Sequence, residues 1–122
     1  WRSFISSDIG IDQITGFNRW EGDKLVLGKE TFTALQSVGG NGFSIASEFE
    51  IVGSDADAAT SNAIIVYNSN NGNLFYNANG SAAGFYTPIL DALVRGGQFA
   101  TLAGAPMLAA TDFTIEEPII II

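Results

Sequence analysis

The chain contains no cysteine and no histidine among its 122 residues. Disulfides, Cys/His zinc sites, thiol nucleophiles and every Ser-His-Asp arrangement are therefore excluded. A cysteine-free chain suits any redox compartment, so the location is not fixed by this count. Basic residues are scarce. Five Lys and Arg face thirteen Asp and Glu, giving a formal net charge of -8 and a pI near 4.1. No Lys/Arg cluster reverses that charge locally, so the surface repels phosphate backbones and nucleic acid is not an expected partner. Anionic membrane is disfavoured for the same reason. No apolar run approaches the roughly 20 residues of a spanning helix, and no membrane insertion is expected. Divalent cations are the partners such a surface attracts, although acidity also serves solubility alone.

What is present argues for a packed core. Hydrophobic residues make up 47%, nine of them Phe, and only 15% are charged, the reverse of a disordered composition. The length fits one domain over 1–122, able to bury roughly two-thirds of its unfolded surface. The start, Trp1-Arg2-Ser3-Phe4, has neither an initiator Met nor a signal peptide, which is expected of a piece of a longer chain.

Fourteen glycines, with many Asn, Ser and Thr, cut the chain into short apolar runs, the pattern of many short strands and tight turns. The expected strands are Asp12–Phe17, Lys24–Leu27, Phe43–Val52, Ala63–Asn68, Asn73–Asn77, Gln98–Leu102 and Asp112–Ile115. Asn71-Gly72 suits a two-residue type I′ turn, which would set Tyr67 opposite Tyr76 and Val66 opposite Asn77. One face of that hairpin carries Ile65, Tyr67, Leu74 and Tyr76, and the other Ile64, Val66, Asn68 and Phe75. Both faces are apolar, so the hairpin is expected at the centre, covered on both sides. One short helix is expected from Thr87 to Gly96, with Pro88 at its first position and Ile89, Leu90, Leu93 and Val94 as its apolar stripe. Ala56–Ala63 and Ser81–Gly84 read as connectors. The fold class is mainly β: a compact β-sandwich or β-roll-cap domain with a central hairpin and one short helix.

Several stretches carry a resemblance. Asp12-Gln13-Ile14-Thr15-Gly16-Phe17 through Asp23-Lys24-Leu25-Val26-Leu27 is similar to a D-x-I-x-D-F-x-x-x-x-D-x-I-x-L segment. Ile65-Val66-Tyr67-Asn68 through Leu74-Phe75-Tyr76-Asn77-Ala78-Asn79-Gly80 is similar to I-x-Y-N-x-x-x-G-x-L-x-Y-D-x-D-G. Gln98-Phe99-Ala100-Thr101-Leu102 and Ala110-Thr111-Asp112-Phe113 match F-A-T-L and a closing x-x-D-F. In this order they resemble the C-terminal region of hemolysin-type calcium-binding (repeats-in-toxin, RTX) secreted bacterial proteins. The resemblance implies a non-enzymatic cap on preceding β-roll repeats, an extracellular or cell-surface location, and a C-terminal tail read by type I secretion machinery. It implies calcium as the ion. Asp12, Asp23, Asp55, Asp57, Asn77 and Asn79 are the candidate metal ligands. The chain departs from the pattern where Gly16 replaces the second Asp, and where Asn77 and Asn79 replace the two Asp of D-x-D-G. An Asn carbonyl ligates Ca²⁺ without contributing charge, which lowers affinity. Phe85–Gly97 reads as an insertion.

Each candidate has a plainer reading. Asp12 and Asp23 suit turns; Asp55 and Asp57 suit a solvated loop. Gly39-Gly40-Asn41-Gly42-Phe43-Ser44 echoes the start of a calcium-roll repeat, but Ser44 stands where the liganding Asp belongs, which favours a glycine turn. Glu48 and Glu50 could be taken for a hydrolase pair, yet alternation sets them side by side on one strand, as a polar outer face. Tyr67, Tyr76, Trp1 and Trp20 would form the stacking surface of a carbohydrate-binding or adhesion module, the alternative function; core packing is the commoner use of strand aromatics.

Overall fold

A computed structural model describes residues 3–5, 12–77 and 97–118. The strands are β1 (Ser3–Ile5), β2 (Asp12–Ile14), β3 (Lys24–Gly28), β4 (Gly40–Asn41), β5 (Phe49–Val52), β6 (Ile65–Asn68), β7 (Asn73–Tyr76), β8 (Gly97–Leu102) and β9 (Phe113–Glu116). One α-helix, α1 (Asp55–Thr60), joins them among the described residues, with 3-10 turns at Arg19–Glu21, Ala46–Glu48 and Ala110–Asp112. Every expected strand is present in whole or in part. The protein is a mainly β fold of two mixed sheets, ordered β1-β3-β9-β4 and β2-β8-β7-β6-β5.

The sheets share one core. Leu25, Leu27, Phe113 and Ile115 from the first sheet pack in the same buried cluster as Ile14, Ile65, Tyr67, Leu74, Tyr76, Ala100 and Leu102 from the second. Phenylalanines fill the space between: Phe32 meets Tyr76 edge-on at 5.0 Å and Phe99 at 4.8 Å, and Phe43 stacks on Phe49 at 5.4 Å. A smaller cluster of Ala58, Ala63, Val66 and Phe75 lies under α1 on the other side of the hairpin. The hairpin is thus covered on both faces, as its two-sided apolar pattern requires.

Its register differs from the expected one. Ile65 pairs with Tyr76, Val66 with Phe75 and Tyr67 with Leu74. The turn holds four residues, 69–72, because Gly72 N–H donates to the Asn68 carbonyl at 2.8 Å and the Asn68 side-chain oxygen accepts from Asn70 N–H at 2.9 Å. The shift is two residues, an even number, so Val66 and Phe75 stay on one face and Ile65, Tyr67, Leu74 and Tyr76 on the other. Ile64, just before β6, departs from its expected face and packs in the main core.

Three further expectations are corrected or fall outside the described residues. The Thr87–Gly96 helix lies outside them. The short helix that is described instead occupies the segment read as a connector. Ser54 caps it by accepting Asp57 N–H at 3.0 Å, and Asp55 and Asp57 sit favourably at the positive end of its dipole. Six residues do not hold a helix alone; burial of Ala58 against Val66 and Phe75 does. Finally, the strand expected over Phe43–Val52 begins only at Phe49, because the Ala46–Glu48 turn carries Glu48 inward.

Candidate functional site

The arrangement of the first three strands defines the most informative surface. β1 lies in the first sheet, β2 in the second, and β3 returns to the first, parallel to β1 with Phe4 opposite Leu25. β2 pairs in parallel with β8, Asp12 opposite Ala100. The chain therefore alternates between facing sheets and comes back beside its own earlier strand in the same direction. That is one coil of a parallel two-sheet solenoid. Among the described residues β1 and β2 are each the edge strand of their sheet, so there this coil presents two open edges. The outward backbone groups of such edges are templates for strands running parallel to them.

Asp12 is half-buried at the start of β2, on one of these edges. Asp23 is buried, and its carboxylate accepts the Asn18 N–H at 3.0 Å, closing the turn that carries Arg19–Glu21. That is the turn-stabilising role its position suggests.

Asp55 and Asp57 do not converge. Alternation would point them the same way on a strand, but on a helix residues two apart point to different sides. Asp55 faces the hairpin turn, where its carboxylate accepts the side-chain amides of Asn68 at 2.8 Å, Asn71 at 3.1 Å and Asn73 at 3.2 Å. The amides turn their NH₂ groups toward Asp55 because their oxygens are occupied. Asn68 Oδ1 accepts Asn70 N–H, Asn71 Oδ1 accepts Asn73 N–H, and Asn73 Oδ1 accepts Gln98 and Thr101. The Asn68 hydrogen bond, followed by that of Asn71, holds the Asp55 carboxyl below the usual range. Asp57 faces the groove between β5 and the end of α1. Asn77 is buried and donates to the Ser61 carbonyl at 3.3 Å. Asn79 lies outside the described residues. No group of three or more Asp and Glu comes together among the described residues.

The other candidates are placed as follows. Gly39–Ser44 forms a glycine turn carrying β4, which pairs antiparallel with β9; Gly42 N–H donates to the Phe113 carbonyl at 2.8 Å. Glu48 and Glu50 do not share a polar face. Glu48 is buried and accepts Gln36 N–H at 2.8 Å, Ser37 N–H at 3.0 Å and Ser37 Oγ at 2.6 Å. Glu50 is exposed on β5 and accepts Ser61 Oγ. Tyr67 and Tyr76 offer no stacking surface, for both are core residues. Tyr67 Oη donates to the Pro106 carbonyl at 2.6 Å and burial pushes its pKa up to about 12, while Tyr76 Oη accepts Ala34 N–H at 3.0 Å. Trp20 is 81% exposed with the Arg19 guanidinium 5.3 Å from its ring centre, and Trp1 lies outside the described residues.

Two connections had no expectation attached. Arg19 pairs with the buried Asp112 at 3.3 Å. Glu117 accepts Gly39 N–H at 2.7 Å and pairs with Lys29 at 3.2 Å. Comparison with protein-family models finds no matching family, and comparisons with curated proteins and with solved structures find no match.

Proposed function

We propose that the chain is the non-catalytic C-terminal cap of a secreted RTX-like protein, seated on preceding parallel β-roll repeats and bearing the tail read by a type I exporter. The observation that carries this reading is the β1-β2-β3 coil. A roll adds each turn by laying one parallel strand on each of two facing sheets. Among the described residues β1 and β2 are open, belong to different sheets, and follow one another in the chain. The other ends of the sheets fit a terminus: β4 has only two residues, and the second sheet leaves the solenoid pattern through antiparallel β7. In this reading calcium acts mainly at the junction with the preceding turns, where half-buried Asp12 stands on the β2 edge. By itself the chain binds calcium weakly, since its acids are dispersed. Among the described residues no helix is long and apolar enough to cross a membrane.

The test is amide hydrogen exchange on the 122-residue chain and on the same chain extended through its parent's preceding residues. Slowed exchange in β1 and β2 on extension supports the cap. Equal exchange at both edges in the two proteins would exclude it.

A further inference from the structure

Among the described residues the second sheet has another open edge, at β5, with a groove of about 760 Å³ beside it lined by Glu50, Ile51, Asp57 and Ser61 among others. The bonds tying β5 to β6 leave from even-numbered residues: Ile64 N–H donates to the Glu48 carbonyl and Ser69 N–H to the Val52 carbonyl, both at 3.0 Å. Successive residues of a strand direct their backbone groups to opposite sides, so the N–H and C=O of Ile51 face the open edge. Proteins usually blunt such an edge with lysine, proline or a bulge. The sequence Phe49-Glu50-Ile51-Val52 contains no lysine and no proline.

The side chains beside this edge specify what fits it. Glu50 is in register with Val66, on the face under α1, and shares the groove with Asp57. No Lys or Arg lines that groove. Ile51 is in register with Tyr67, on the face turned to the main core, and is 48% exposed, with no described strand outside it. A strand added here would set alternate side chains against two carboxylates and the intervening ones against Ile51. A second copy of the chain fits poorly: each copy carries a net charge of -8, and joining two β5 edges would crowd Glu50 and Asp57 of both, a destabilising like-charge pairing.

We propose that β5 and its groove bind, in trans, an extended segment of a basic partner protein in which Lys or Arg alternates with an aliphatic residue. The segment adds as a sixth strand to the second sheet. Main-chain hydrogen bonds supply affinity and the alternating side chains supply selectivity.

The probe is the acetylated peptide Lys-Val-Lys-Val-Lys-Val-Lys, titrated into the 122-residue chain and followed by amide chemical shifts. Shifts centred on Ile51 and the groove are expected, with affinity about tenfold weaker for the Glu50→Gln/Asp57→Asn double variant. Glu50→Gln keeps an acceptor for Ser61, so the fold is retained. N-methylation of the peptide's backbone nitrogens, which removes the strand hydrogen bonds in either direction and keeps every charge, should abolish binding. Four results would overturn the proposal: no binding at millimolar peptide, equal binding of the methylated peptide, shifts confined to other surfaces, or peptide-free dimers that Glu50→Lys disrupts, which would make a second copy the occupant.

Discussion

The Asp55 carboxylate accepts the side-chain amide of Asn68 at 2.8 Å, tying the first turn of α1 to the last residue of β6. Asn71 and Asn73 add their own amides to the same carboxylate, so one acid joins the crossover helix to both arms of the hairpin. Asp55→Asn removes the charge that all three donors serve. Because Asp55 is exposed, the loss is modest, about 0.5–1 kcal/mol at neutral pH. Its sign with pH follows from the lowered pKa. The stabilisation is full above the ordinary value of 3.8 and disappears as pH falls through the lower folded value. Denaturant curves of the protein and the variant should therefore converge as acid is added. A gap that persists unchanged in strong acid would contradict this role.

Gly72 sets the geometry of the four-residue turn. Its φ is +84°, and a Cβ there would lie 2.1 Å from the Leu102 carbonyl oxygen, which is the acceptor side of a backbone in close contact with the turn. Gly72 itself uses that proximity, accepting Leu102 N–H at 2.8 Å. Gly72→Ala combines left-handed strain with overlap and should cost about 3 kcal/mol. Gly28→Ala, at a strand position where a Cβ meets nothing within 4 Å, should change stability by less than about 0.5 kcal/mol. Similar unfolding midpoints for the two variants would refute the close approach.

Glu48 is a structural carboxylate. Three donors from Gln36 and Ser37 converge on it in a buried setting, so removing the acceptor leaves polar groups without partners. Glu48→Ala should destabilise by about 2–4 kcal/mol, and Glu48→Gln by less because one acceptor oxygen survives. Chemical denaturation would distinguish this from a polar outer face, where neither change would register.

The strand pattern was legible because alternation and glycine punctuation are local signals. The faces of Ile65, Tyr67, Leu74 and Tyr76 followed from period two alone. Register did not follow, since Asn71-Gly72 satisfies both a two-residue and a four-residue turn, and the choice rests on Asn68 bonding to Asn70 and on Ser69 pairing back to Val52. Helix α1 left a readable trace in Ser54-Asp55-Ala56-Asp57, a capping pattern ahead of alanines, which the small-residue composition obscured. The inward path of Glu48 had no local signal. Its donors lie at Gln36 and Ser37, and only tertiary packing brings them within reach. The same holds for Asp55: its charge was visible, but its partners come from the hairpin at 68–73.

Calcium provides the next expectation. With Asp23 enclosed and Asp55 and Asp57 directed apart, the chain alone should show no change of melting temperature between millimolar Ca²⁺ and EDTA. The chain carrying its parent's preceding repeats should show a rise, since a ligand at 100 times its dissociation constant stabilises by about 2.7 kcal/mol. Asp12→Asn should reduce that rise at the junction. A strong response of the isolated chain, abolished by Asp55→Asn with Asp57→Asn, would instead place the ion at the hairpin.

The C-terminal tail divides at Pro118. Before it, β9 is flanked by β3 and β4, the Glu116 carbonyl accepts Lys29 N–H at 2.9 Å, and Glu117 holds Gly39 and Lys29. Those residues belong to the fold. Proline has no N–H to offer a neighbouring strand, and β9 ends two residues before it. Ile119–Ile122 lie outside the described residues; under the proposed export role, these four consecutive β-branched residues are the segment a type I exporter would read. Deleting only Ile119–Ile122 from the full-length parent should abolish type I secretion while the folded domain, with Glu116 and Glu117 intact, keeps its melting temperature within a few degrees. Glu117→Gln should do the reverse, weakening the fold and leaving export unchanged. Glu117 is held below the usual carboxylate range chiefly by the Gly39 N–H and then by Lys29, so its contribution, like that of Asp55, is present at neutral pH and lost in acid. Normal secretion of the parent lacking Ile119–Ile122 would refute the export role of the tail.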